Sequence, residues 1–193
     1  MHLSEFLLHF QQPWRAGQAH DYGLPQKTRQ AAVLIAMHPK QDGLHVILTQ
    51  RAMHLAHHAG EVSFPGGKHE PEDPSLYATA LREAEEEIGL STSQVSILGS
   101  LPPYSTISGF SVTPVLAYVD RTLDLTTDLV PDPNEVADIF DVPLSFLMEP
   151  VHYHSYTVSR KHIKQPVYFV PYQGKQIWGA TAGMLKLLSQ QIR

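Results

Sequence analysis

The sequence predicts a single α+β domain spanning residues 1–193. Three observations carry that expectation. Apolar residues recur at helical spacing near both ends of the chain, and short β-patterned runs fill much of the region between. One interior segment carries helix start and stop signals at its two ends. No internal repeat, low-complexity tract or linker divides the chain. With 193 residues, 42% of them hydrophobic and 17% charged, the chain is long enough for a real core and is not of disordered composition.

The elements follow in order. Leu3, Phe6, Leu7 and Phe10 predict a helix over about 3–11, ended by Pro13. Gly17, Gly23 and Pro25 mark a loop. Ala31–Met37 and Leu44–Thr49 read as two strands around a turn at Asp42-Gly43. Val95–Leu101 and Val112–Val119 read as further strands, Asp124–Pro133 as a polar loop, and Val142–Met148 as a short helix. Tyr156–Ser159, Val167–Tyr172 and Gln176–Trp178 predict late strands, with Trp178 expected in the core. Met184, Leu185, Leu187 and Leu188 place a C-terminal helix over about 180–192.

Composition removes several classes of function. Cysteine is absent, which excludes disulfides, thiolate metal sites and cysteine nucleophiles. Fourteen Lys and Arg against nineteen Asp and Glu give a formal charge of −5, which leaves no basic footprint for duplex nucleic acid. A small phosphorylated ligand held by a few local cations remains compatible. The longest apolar run, Ala31–Met37, is far too short to span a bilayer. Glu5 and His9 interrupt the N-terminal apolar residues, against a signal peptide. The expectation is a cytoplasmic protein, monomer or homodimer, with a small-molecule substrate and neither nucleic acid nor membrane as partner.

The chemistry concentrates in Gly60–Leu90, GEVSFPGGKHEPEDPSLYATALREAEEEIGL. Asp73 as N-cap, Pro74 at the first turn and Gly89 at the end delimit a helix. At 3.6 residues per turn, with Glu83 at zero, Glu87 falls at about +40° and Glu86 at about −60°. Tyr77, Leu81, Ala84 and Ile88 cluster between about +100° and +160° as the expected packed stripe. Glu85 points to about −160°, away from the other three glutamates. Neighbouring like charges cost a helix about 0.2–0.5 kcal/mol per pair, and a bound cation would offset far more. Oxygen donors with no nitrogen or sulfur suit Mg²⁺ or Mn²⁺. Phe64-Pro65-Gly66-Gly67, just before the helix, permits a tight turn that brings backbone close to a ligand.

Arg82-Glu83-Ala84-Glu85-Glu86-Glu87-Ile88-Gly89-Leu90 resembles the distal half of the Nudix box, Gly-x5-Glu-x7-Arg-Glu-U-x-Glu-Glu-x-Gly-U, where U is a bulky aliphatic residue. The box would span 67–90. Its proximal half departs from the pattern: five residues lead from Gly67 to Asp73, where the pattern has Glu, and eight rather than seven then lead to Arg82. Nudix enzymes that act on coenzyme A look like this. Leu48-Thr49-Gln50-Arg51-Ala52, Leu55, His58 and Gly60–Gly67 are similar to that subfamily's upstream signature. Arg29–Ile35, Leu101-Pro102-Pro103 through Val112-Thr113-Pro114, and Trp178–Gly183 also resemble it.

The resemblance implies a Nudix-type α/β/α sandwich with a mixed central sheet, and metal-dependent hydrolysis of a diphosphate bond. It assigns Glu83, Glu86 and Glu87 to the metal, with the Gly66 carbonyl as a further ligand. Arg82 orients a carboxylate, and either Glu86 or Glu135 is the general base. Arg29, Arg51 and Lys68 are candidate phosphate partners. His58, Thr106 and Ser108 are expected to contact substrate. A zinc site at His54 and His58 lacks a third nearby ligand. Coenzyme A is the expected substrate; ADP-ribose or another nucleoside diphosphate derivative is the alternative, and a non-catalytic nucleotide-binding module the other class.

Overall fold

The structure is a computed structural model that describes residues 1–13, 28–160 and 163–192. The loop expected around Gly17, Gly23 and Pro25 lies outside the described residues. Ala31–Met37 is apolar without alternation, the mark of a strand covered on both faces. It forms the centre of β1 (Arg29–Lys40), which turns back at Gly43 into β2 (Gly43–Arg51). The remaining strands of the large sheet are β3 (Val62–Ser63), β4 (Gly66–Lys68), β5 (Val95–Ser100), β6 (Tyr104–Ser105), β7 (Phe110–Val119) and β8 (Val136–Pro143). The order is β3-β2-β1-β7-β5, with β4 added to β1, β6 to β7 and β8 to β2. β1 and β7 run parallel, from Arg29 opposite Phe110 to Met37 opposite Tyr118, and the other pairs are antiparallel. The central sheet is therefore mixed.

Its two faces carry separate cores. Ala32, Leu34 and Ala36 of β1 pack with Val115 and Ala117 of β7 against Ala80, Ala84 and Ile88 of α2 (Leu76–Ile88). Ile35 and Met37, on the other face, meet Phe6 of α1 (Leu3–Phe10), Leu144 and Leu147 of α3 (Leu144–Met148), and Leu185 and Leu188 of α4 (Gly179–Ile192). Helices thus cover both faces of a mixed sheet, as expected. A second antiparallel sheet comprises β9 (His154–Arg160), β10 (Ile163–Tyr172) and β11 (Lys175–Trp178). The segment Val142–Met148, expected as one helix, is divided: Val142 and Pro143 finish β8, where Val142 pairs with Val46, and only Leu144–Met148 is helical.

The end of the β1–β2 hairpin is fixed by a buried polar network. His38 is fully buried; its Nδ1 accepts from the Leu123 amide at 3.1 Å, so its Nε2–H donates to Asp141 at 2.9 Å. His45 sits between Asp141 at 2.9 Å and Asp42 at 2.8 Å, and Lys40 also reaches Asp141. Burial pushes the Asp141 carboxyl up, but the donors from His38, Lys40 and His45 hold it well below the usual carboxylate range. A depressed folded-state value stabilises above the ordinary carboxylate range, and that stabilisation is lost as the pH falls below it. Asp141→Asn is therefore expected to cost about 2–4 kcal/mol in urea unfolding at pH 7, with the gap to the parent closing towards pH 3. A cost below about 0.5 kcal/mol at pH 7 would show that the network does not hold the hairpin.

Candidate active site

Helix α2 begins later than the sequence suggests. Ser75, not Asp73, is the N-cap: its Oγ accepts from the Ala78 amide at 3.2 Å. Gly89 closes the helix in the left-handed conformation at φ 68°, with its amide donating to Glu85 and the Leu90 amide to Ala84. Asp73 is instead turned onto Arg82. The guanidinium Nε donates to Oδ1 at 2.9 Å and a terminal nitrogen to Oδ2 at 3.1 Å, while the Thr79 hydroxyl and the Glu70 amide also donate to Asp73. The Arg82 fork holds the Asp73 carboxyl well below the usual range. Asp73 thus pairs with Arg82 although eight residues separate the two in sequence.

Arg82 uses its other donors on Glu86 at 2.9 Å, the Lys68 carbonyl at 3.2 Å and Glu83 at 3.1 Å. The Arg82 guanidinium is thus turned onto protein groups of the box.

The packed stripe of α2 lies closer to the glutamates than the sequence reading placed it. Thr79, Ala80, Ala84, Glu87 and Ile88 are buried, whereas Tyr77 is 42% exposed. Small alanines let the helix settle against β1 and β7, so the buried face is centred near Ala80 and Glu87. Glu87 is consequently 4% exposed, Glu85 is on the solvent side, and the Glu86 side chain is 60% exposed.

The segment 64–67 lies over these acids. Pro65 accepts from the Leu34 amide at 2.8 Å and anchors the turn to β1. A Cβ on Gly66 would meet the Val33 Cα at 2.6 Å, and one on Gly67 would overlap the Glu83 carboxylate. Only glycine fits at Gly66, and a side chain at Gly67 would displace the Glu83 carboxylate. The Gly66 amide donates to Glu87 at 3.3 Å. Glu135 stands on a loop tied to the end of α2 by the Val130 and Asp132 amides, which donate to the Ile88 and Glu87 carbonyls at 2.9 Å.

Burial raises the Glu87 carboxyl to about 8; Glu83 and Glu135 add to the rise, while the Gly66 amide and Arg51 oppose it. Glu83 is raised as well, by burial first and by Glu86 and Glu135, against Arg82. A set of carboxylates that raise one another in a half-buried glycine-lined cradle fits a hard divalent cation. Among the described residues, no three His, Asp or Glu side chains close around one point. Water and phosphate oxygens complete the shell of such an ion. The raised carboxyls of Glu83 and Glu87 fit such an ion by their chemistry, while Glu86 is turned to Arg82.

Beside the cradle opens a cavity of about 680 Å³, within the roughly 300–1,000 Å³ common for small-molecule sites. Of the residues read from the sequence, Arg51, His58, Lys68, Thr106, Ser108 and Gly66 line it. Arg51 belongs to this lining, while its Nε is buried and has no hydrogen-bond partner among the described residues. Thr106 and Ser108 pair their hydroxyls at 2.9 Å. His58, at φ 58°, pairs with Glu61 at 2.7 Å, and His54 with the Asn134 carbonyl, so the two share no metal point. Arg29 is outside the lining: it donates to the Ser108 carbonyl at 3.2 Å and lies 4.0 Å above the Phe110 ring.

Trp178, expected in the core, is 40% exposed and lines the cavity. Strand alternation on β11 was the available signal, because Ile177 takes the inward position. Glu61, the partner of His58, also lines the cavity and was not singled out; nothing in the sequence marks a surface acid three residues on.

The NUDIX domain family pattern matches residues 28–161. A Yersinia pestis (strain Pestoides F) protein described as "Uncharacterized Nudix hydrolase NudL" is 40% identical over 195 aligned residues, covering 99% of this chain and 95% of that one. The crystal structure of a Nudix hydrolase from M. smegmatis, RenU, superimposes with TM-score 0.52 at 25% identity, covering 63% of this chain and 74% of that one. A MutT/nudix family protein from Enterococcus faecalis shares the fold at TM-score 0.52 and 14% identity, covering 99% of this chain and 68% of that one. No helix among the described residues is long and apolar enough to cross a membrane. Nudix enzymes generally use divalent cations and take small nucleotide substrates, and this chain belongs to the Nudix hydrolase family.

Proposed function

We propose that the protein hydrolyses the diphosphate bond of coenzyme A or a derivative, giving adenosine 3′,5′-bisphosphate and 4′-phosphopantetheine, with Mg²⁺ or Mn²⁺ as cofactor. The observation that carries the reading is that one cavity joins the two halves of the resemblance. Arg51, His58, Glu61–Phe64, Gly66 and Gly67, from the stretch similar to the coenzyme A signature, line one cavity, and Gly66 and Gly67 also meet Glu87 and Glu83 of the box. As a cytoplasmic enzyme the protein would meet this substrate class directly.

Glu83, Glu86 and Glu87 would hold the cation, with the Gly66 backbone beside them. When bound, that cation neutralises diphosphate charge and makes water a stronger nucleophile. The chain's own groups do the rest. Arg51 and Lys68, the two cations that line the cavity, pair with phosphate oxygens. Arg82 already holds Glu86, whereas Glu135 makes no side-chain hydrogen bond among the described residues. Glu135 is accordingly the carboxylate that takes the proton from the attacking water. The water oxygen bonds to phosphorus, the bridging P–O bond breaks, and the bridging oxygen leaves with the other phosphate.

A panel of diphosphates read by product mass tests the substrate. Coenzyme A carries a 3′-phosphate that dephospho-coenzyme A lacks. Pairing that group with an arginine is expected to favour coenzyme A by roughly tenfold to a hundredfold in kcat/KM. Arg29→Ala and Arg51→Ala separate the roles. The arginine that serves the 3′-phosphate narrows the gap, and one that serves the diphosphate slows both substrates alike. Equal rates in the parent would remove the argument, and faster turnover of ADP-ribose would replace the substrate.

A further inference from the structure

We infer that the indole face of Trp178 is the docking surface for the planar base of the substrate, and so sets the preference for a nucleoside on one side of the diphosphate. The inference rests on the reading above that the substrate carries a nucleoside diphosphate.

Three aromatic residues lie on the outer face of the small sheet. Trp178 on β11 stands opposite Phe169 on β10, their rings nearly parallel at 10° with centroids 6.1 Å apart. Tyr156 on β9 meets Phe169 edge-on at 5.5 Å. The other face of this sheet is anchored, because Val170 and Ile177 are fully buried in the main core with α4. The Trp178 ring is thus backed by a ring on a fixed strand. A pre-positioned flat surface loses little entropy on stacking.

The cavity decides what stacks there. Its lining includes the rings of Phe64, Phe110 and Trp178, and the His58 imidazole, which is tied to Glu61 at 2.7 Å. Phe64 is 2% exposed and offers no face. Phe110 has one face covered by the Arg29 guanidinium at 4.0 Å. Trp178, backed on one side by Phe169, is the most exposed of the three Phe and Trp rings at 40%. Other apolar lining residues, Val33, Ile107, Val112 and Met184 among them, are flexible or aliphatic and suit a non-planar arm. The same space holds Arg51 and Lys68, so a diphosphate seated there carries its base to a wall of the one cavity.

Base stacking on an aromatic side chain contributes enough that Trp178→Ala should raise KM for coenzyme A about tenfold, with kcat changed by no more than about threefold. Trp178→Phe keeps a face and should stay within about threefold of the parent in KM. Product inhibition provides the internal comparison. In Trp178→Ala the inhibition constant of adenosine 3′,5′-bisphosphate should rise about tenfold, and that of 4′-phosphopantetheine should hold.

A binding readout needs no turnover. The chain has two tryptophans, Trp14 and Trp178, so Trp14→Phe leaves a single indole. Adenosine 5′-diphosphate with chelator present should quench its emission saturably, and ribose 5-phosphate should not. Equal weakening of both products, loss of 4′-phosphopantetheine alone, or no quench by ADP would overturn the assignment. So would a change in mass by light scattering in Trp178→Ala, which would give this face to a second copy of the chain. If coenzyme A is not turned over but ADP quenches Trp178, the substrate reading fails and the base site stands.

Discussion

Glu87→Gln should lower kcat about a hundredfold, a loss of about 2.7 kcal/mol of transition-state stabilisation, and at the same time make the metal-free protein more stable. The two effects have one cause. Burial, reinforced by Glu83 and Glu135, lifts the Glu87 carboxyl to about 8, so its ionised form is disfavoured in the folded chain. A value raised above the usual carboxylate range means that the folded state keeps a proton which the unfolded state has released. Stability of the chelated parent therefore falls as pH rises from about 4.5 through about 8. Glutamine retains an oxygen for the Gly66 amide and carries no charge. At pH 9 with chelator the variant should be more stable by about 1–3 kcal/mol in urea, and at pH 5 the two should converge.

Adding Mg²⁺ or Mn²⁺ should raise the midpoint of the parent well above that of the variant, since an ion that binds only the folded state stabilises it. Glu83→Gln and Glu86→Gln should each lower kcat at least about tenfold. Glu85→Gln, on the solvent side of α2, should stay within a few-fold. A Glu87→Gln protein less stable than its parent at pH 9 in chelator would refute the repulsive cradle. Equal damage from Glu85→Gln would refute the division of the helix faces.

Much of this site is legible in the sequence, and the reasons are local. The glutamate spacing fixes angular positions on any helix, so Glu83 and Glu87 had to be neighbours and Glu85 had to point away. The glycines at 66 and 67 announced a close backbone approach, which the Glu83 carboxylate and the Val33 Cα now account for. The runs Ala31–Met37 and Val112–Val119 gave the central strands, because full burial leaves a continuous apolar signature. What was not legible depends on contacts between distant segments. The packed face of α2 turned towards Glu87 because Ala80 and Ala84 fit against β1 and β7, a matter of side-chain size on three elements. Trp178 faces the cavity because Ile177 is taken by the core, and which of two adjacent apolar residues turns inward is decided by packing against α4. Asp73 looked like a helix cap since an Asp before Pro ordinarily is one; its bond to Arg82 spans nine positions and exists only once the turn is folded.

That last contact carries the final expectation. Arg82 spans Asp73, Glu83, Glu86 and the Lys68 carbonyl, so it fixes the helix acids to the segment that covers them. Arg82→Ala should lower kcat about a hundredfold while KM changes little, because the guanidinium arranges other groups and does not touch substrate. Asp73→Asn, which keeps one acceptor of the two, should lower kcat about tenfold. Arg82→Lys should rescue little, since an ammonium cannot reproduce the two-pronged geometry on Asp73. The double variant Asp73→Asn/Arg82→Ala is the decisive one. If Asp73 acts only through Arg82, the double variant should be no worse than Arg82→Ala alone. Losses that multiply to about a thousandfold would give Asp73 a role of its own at the reacting centre, and a KM effect confined to Arg82 would place the guanidinium on the substrate.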